Sequence, residues 1–136
     1  MKKKVITGIA ALVVLAVAWC AIPRPLVGSS YQLDYIEYQG ETLHLHDDSF
    51  KAEREAIEAL LRTYQCSAVA RRLPWGGYGS LCLTGGDSRR PLHIILSDGS
   101  GGGTPCYMLY TSADKGGYPI RDGEKLMEEL LDILEN

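Results

Sequence analysis

None of the four cysteines sits in a Cys-x-x-Cys pair, no Gly-x-Ser-x-Gly turn occurs, and histidines number only three. The first absence removes the thioredoxin-type redox motif, and the second removes the nucleophile elbow of the α/β-hydrolases. A glycine-rich run, Gly99 to Gly103, is followed by neither Lys-Ser/Thr nor a helix signal. A phosphate loop needs both, so the run reads as a flexible hairpin loop. Basic charge is also scarce, with 14 basic against 17 acidic residues and a net charge of −3. Three of those basic residues are Lys2, Lys3 and Lys4, so the remainder carries eleven against 17, a net −6. Arg71-Arg72 and Arg89-Arg90 are only pairs, and such a surface repels a phosphate backbone, which excludes general nucleic-acid binding. There is no internal repeat, and low complexity is confined to the glycine-rich run.

What the chain does have begins at its amino terminus. Met1-Lys2-Lys3-Lys4 precedes an almost unbroken apolar run from Val5 to Ile22, which Pro23 ends. Eighteen helical residues span about 27 Å, just enough for a hydrocarbon core of about 30 Å. The positive charge before the run, against Arg24 alone after it, places the amino terminus inside and the rest outside. Retention as a single-pass anchor is expected, because apolar residues continue to Ile22. Ala16-Val17-Ala18 offers signal peptidase a site, so the alternative is cleavage after Ala18 and secretion. Lipidation at Cys20 is disfavoured by the bulk of Trp19. The expected organisation is therefore an anchor or signal segment over residues 1–23, a Pro/Gly/Ser linker over 24–30, and one extracytoplasmic domain over 31–136. With 46% hydrophobic and 23% charged residues the chain is of ordinary globular composition, so the domain should fold.

Alternation from Tyr31 to Tyr38 predicts a strand, Gln39-Gly40-Glu41 a turn, and Thr42 to His46 an antiparallel return. Asp47-Asp48-Ser49 supplies helix caps, and Phe50, Ile57, Leu60, Leu61 and Tyr64 recur at helical spacing. Pro74, Gly76, Gly77 and Gly79 break the chain before three strand-like runs, Tyr78 to Thr84, Pro91 to Ser97 and Thr104 to Thr111. Their short glycine-rich connections predict a meander. Ala113 to Pro119 reads as a turn region. Asp122 then caps a second amphipathic helix carrying Leu126, Met127, Leu130, Leu131 and Leu134. Strands without crossover helices imply an α+β fold: an antiparallel sheet, hairpin plus three-stranded meander, with both helices on one face.

Three constellations are candidates for chemistry. His44-x-His46 puts two imidazoles on one strand face, and with His93 they could hold zinc. Two histidines at one spacing more simply mark an exposed strand end. Cys66, Cys82 and Cys106 leave an odd number in the domain, and their spacings choose no disulfide pair. A nucleophile dyad of His93 with Cys82 or Cys106 has no local support, whereas cysteines as small buried hydrophobes need none. The most distinctive run is Arg71-Arg72-Leu73-Pro74-Trp75-Gly76-Gly77-Tyr78. Arg, Trp and Tyr are enriched at binding hot spots, so Arg71, Arg72, Trp75 and Tyr78 are the candidate contact residues; a Trp packed over a sheet edge explains the same run. The acids of the last helix, Glu124 to Glu135, read as a solvated face.

The order of a lysine-led anchor, a hairpin, a helix ending near Tyr64, a Leu-Pro loop, a meander and a helical tail resembles small membrane-anchored or secreted domains of unknown function from Gram-positive bacteria. That resemblance implies no activity and carries over no functional residue. The expected function is a membrane-anchored extracytoplasmic binding or sensing module without catalysis or cofactor, touching the membrane through residues 5–22 and a protein partner outside. The alternative is a small zinc-dependent hydrolase using His44, His46 and His93.

Overall fold

Period-two alternation in four runs of the chain and helical spacing in two more build the folded part. The structure, a computed structural model, describes residues 2–38, 40–45, 47–72, 81–87, 90–99, 105–111 and 116–135. It is an α+β fold. Helix α1 (Lys2–Ala21) leads to the short strand β1 (Arg24–Pro25), then β2 (Gln32–Tyr38) and β3 (Glu41–His44). Helix α2 (Lys51–Arg62) is followed by β4 (Gln65–Cys66) and β5 (Arg71–Arg72). Strands β6 (Leu81–Asp87), β7 (Arg90–Ser97), β8 (Cys106–Tyr110) and β9 (Gly116–Pro119) precede helix α3 (Gly123–Glu135). The main sheet runs β3-β2-β6-β7-β8-β9-β5 with every neighbour antiparallel, and β1 pairs with β4 beside it.

Alternate residues of the sheet define the core. Leu33, Ile36, Leu81, Leu83, Leu92, Ile94, Leu96 and Leu109 are buried in one cluster with Ile57 and Leu61 of α2 and Leu126, Met127 and Leu130 of α3. Both helices therefore lie on the same face, and each fully buried aliphatic contributes about 1.5–3 kcal/mol. The register shifts between Leu33 and Tyr35, so Asp34 is the extra residue of a bulge. The Leu33 amide at that bulge donates to Glu58 Oε1 of α2 at 3.0 Å. Arg62, one turn on, reaches the Tyr31 carbonyl at 3.1 Å, so α2 clamps the start of β2.

Two glycines mark places where elements approach too closely for a side chain. A Cβ at Gly85 would strike the Gln32 carbonyl and lie 2.7 Å from the Tyr31 hydroxyl oxygen. A Cβ at Gly123, the first residue of α3, would overlap the Tyr107 side chain on β8. Asp122 just before it has φ 53°, and its carbonyl accepts the Leu126 amide at 3.0 Å.

Three expectations differ from the structure. Residues 24–30 are part of the fold: Arg24 and Pro25 pair with Cys66 and Gln65, the Leu26 amide donates to the Tyr64 carbonyl at 3.0 Å, and Leu26 and Val27 are buried. The apparent turn after residue 113 contains a strand, because Tyr118 and Pro119 pair with Leu109 and Met108 despite the glycines before them. Phe50 is 38% exposed rather than part of the helix stripe. Asp47 caps a 3-10 turn at Asp48–Phe50, its carboxylate accepting the Ser49 amide at 3.4 Å, and α2 starts only at Lys51.

Candidate functional site

The other set of alternate residues forms the opposite face of the same sheet. Directly paired residues in antiparallel strands point to the same side. One such row runs His44, Tyr35, Thr84, His93, Tyr110 across β3, β2, β6, β7 and β8. The next row runs Thr42, Glu37, Cys82, Ile95, Met108, Pro119. No described helix packs there, and most of these side chains are partly or fully exposed. The His93 and Tyr110 rings stack with centroids 5.0 Å apart, Tyr35 meets His44 at 6.0 Å, and Thr84 Oγ1 lies 3.3 Å from His93 Nδ1. An aromatic and polar strip thus crosses five strands. Arg71 is opposite Gly117, two residues from Pro119 on β9, so the exposed Arg71 stands on this same face at the far edge.

The spacing of the described groups bears on the zinc and nucleophile readings. His44 and His93 share a row but are three strand spacings apart, about 14 Å, whereas one zinc ion needs its imidazole nitrogens at about 2 Å. Among the described residues, no group of three His, Cys, Asp or Glu could hold a metal. His46 lies outside the described residues. Cys82 is diagonal to His93, a separation of about 7–8 Å, and Cys106, opposite Ser97, is four residues farther along the strand direction, about 13 Å. His93 instead faces Thr84. All three domain cysteines are free thiols. Burial raises the pKa of Cys66, Cys82 and Cys106, with the Glu37 carboxylate adding to the effect at Cys82. They remain protonated at neutral pH and are poor nucleophiles. Tyr110 is also raised, by burial first and then by the charges of Cys82, Tyr35 and Glu37.

A cavity lies where α1 leads into the fold. Residues Arg24 to Gly28 and Cys66 to Ala68 form its walls, and Leu92, Leu109 and Tyr118 contribute apolar surface, enclosing about 300 Å³. Asp87 and Thr111 also line it, and both already have partners within the fold. Sequence reasoning missed this cavity because the segment that walls it has the composition of a linker; the adjacent aliphatics Leu26 and Val27 were the available signal. It missed the aromatic row because alternation identifies faces within a strand but not which strands are neighbours. Of the contact residues chosen from sequence, Arg71 and Arg72 form the edge strand β5, while Trp75 and Tyr78, like most of the glycine-rich run after Gly99, lie outside the described residues. No protein-family model, curated protein or solved structure matches this chain.

Proposed function

We propose that this chain is a membrane-anchored binding or sensing module, without catalysis, whose folded part is displayed outside the cytoplasm. The observation that carries the reading is α1: 20 residues, apolar on every side, with none of them buried against the domain. Water does not tolerate so large a continuous apolar surface, and a bilayer does. Lys2, Lys3 and Lys4 at one end orient it with the amino terminus inside. Partner contact is assigned to the helix-free face of the sheet and its edge, where Arg71 and Arg72 lead into Trp75 and Tyr78. The support is chemical: aromatic side chains and the Arg71 guanidinium, held on strands, belong to the groups that dominate interface energetics.

The test is protease added to intact cells stripped of their wall. Digestion of residues 24–136 with α1 left in the membrane fraction is the expected outcome. Full protection of the domain would reverse the assigned orientation, and recovery of a chain starting at Trp19 in the medium would replace the anchor with a signal segment.

A further inference from the structure

We infer that the cavity between the 24–28 segment and the sheet takes up an acyl chain of an anionic membrane lipid, an inference that rests on α1 being a retained anchor. The first support is position. Arg24 begins the cavity wall only three residues after Ala21 ends α1, so the wall lies within about 11 Å of the helix end however the domain tilts. A cavity so tethered lies close to the bilayer surface.

The second support is the Trp19–Arg24 pair. The guanidinium of Arg24 sits 4.0 Å from the centre of the Trp19 ring, linking the last turn of the helix to the first residue of the wall. Tryptophan settles at the headgroup level, and a cation stacked on it stands at the depth of the lipid phosphates. The third support is the lining. Leu92, Leu109 and Tyr118 give the cavity apolar surface and Arg24 gives it a cation, while the other charged residue there, Asp87, already has a partner. About 300 Å³ is at the lower end of ligand pockets. That volume admits one slender chain with an anionic head at Arg24 and is small for a bulky solute.

Gly28 provides the means of testing it. It lines the cavity, its φ is not in the left-handed range, and a Cβ added there would meet nothing within 4 Å. Gly28→Phe therefore adds bulk at an exposed point of the cavity wall without disturbing the backbone, and Gly28→Ala adds almost none. The full-length protein is reconstituted in phosphatidylglycerol bilayers doped with a phospholipid carrying a diazirine at the end of one acyl chain, irradiated, and mapped by peptide mass spectrometry. Label is expected on α1 and also on the peptides bearing Leu92, Leu109 or Tyr118. In Gly28→Phe the cavity label is lost, while the α1 label and the melting temperature are unchanged; Gly28→Ala keeps both labels. Label on α1 alone, or a cavity label that survives Gly28→Phe, overturns the inference while the anchor stands. Absence of label from α1 removes the anchor reading itself, and this inference with it.

Discussion

The two faces of one sheet are built from the same strands by residues that alternate, and they have opposite characters. On one face Leu81, Leu83, Ile94 and Leu96 are fully buried beneath two helices. On the other, Tyr35, Thr84, His93 and Tyr110 are each next in sequence to a buried residue and are themselves partly exposed, with His93 touching both Thr84 and Tyr110 and Tyr35 facing His44. The first face determines whether the chain folds. The second is released from that constraint, and in the proposed function it is the surface that meets a partner. Thermal and urea melts of paired substitutions break the comparison most directly. Leu83→Ala or Ile94→Ala should cost about 2–5 kcal/mol, whereas Thr84→Ala or His93→Ala, one residue away, should cost less than about 1 kcal/mol. Equal costs on the two faces would mean that the second face is also packed, and would remove it as a binding surface.

The next effect concerns Trp75, which lies outside the described residues. If Trp75 contacts a partner, Trp75→Ala should weaken capture of that partner from solubilised membranes by about 2 kcal/mol or more, with the melting temperature little changed. If Trp75 instead belongs to the core, the same change should cost roughly 3–5 kcal/mol of stability, and any loss of binding would follow from unfolding. Behind the sheet, the close approach at Gly85 gives a third test. Gly85→Ala must push the new methyl into the Gln32 carbonyl and the Tyr31 ring, and about 1–3 kcal/mol of destabilisation is expected. A neutral result would show that β2 and β6 are not in the register that makes His44, Tyr35, Thr84 and His93 one row.

Much of this was legible in the chain because periodicity reports burial. Leu81, Leu83 and Gly85 alternate with Cys82, Thr84 and Gly86, and Ile57, Leu61, Leu126 and Leu130 repeat at helical spacing, so strands β2, β6, β7 and β8 and both amphipathic helices could be read directly. Short elements fail that test. Strand β9 opens with two glycines and closes with a proline, and β1 is two residues long, so neither contains a full period. The aromatic row was illegible for a different reason. Its members come from five strands, and the bulge at Asp34 alone moves Tyr35 to the open face, an offset that appears only when β2 is paired with β6. The cavity beside β1 requires β1, β4, β6, β7, β8 and β9 together, which no local pattern predicts.

The smallest expected effect separates the faces through their tyrosines. Tyr31 is buried behind the sheet, its hydroxyl has no hydrogen-bond partner among the described residues, and burial followed by the charges of Glu58 and Asp34 raises its pKa steeply. Tyr110 on the open face is raised as well but stays partly exposed. Tyr64 is pushed up to about 12 by burial and then by donating a hydrogen bond to Glu129 at 3.0 Å. Each of these folded-state values exceeds the unfolded value of about 10. The stability supplied by the neutral phenols is therefore complete below pH 10 and is lost as the pH climbs through the folded values. Alkaline titration followed by ultraviolet absorbance should show Tyr110 ionising with the fold intact and Tyr31 ionising only on unfolding. Tyr31→Phe should then abolish the slowest ionising phenol and, by deleting a buried hydroxyl without a partner, leave stability at pH 7 unchanged or higher by about 1 kcal/mol. A loss of stability in Tyr31→Phe would mean that the hydroxyl is satisfied in the folded protein, and that the core face carries a polar contact of its own.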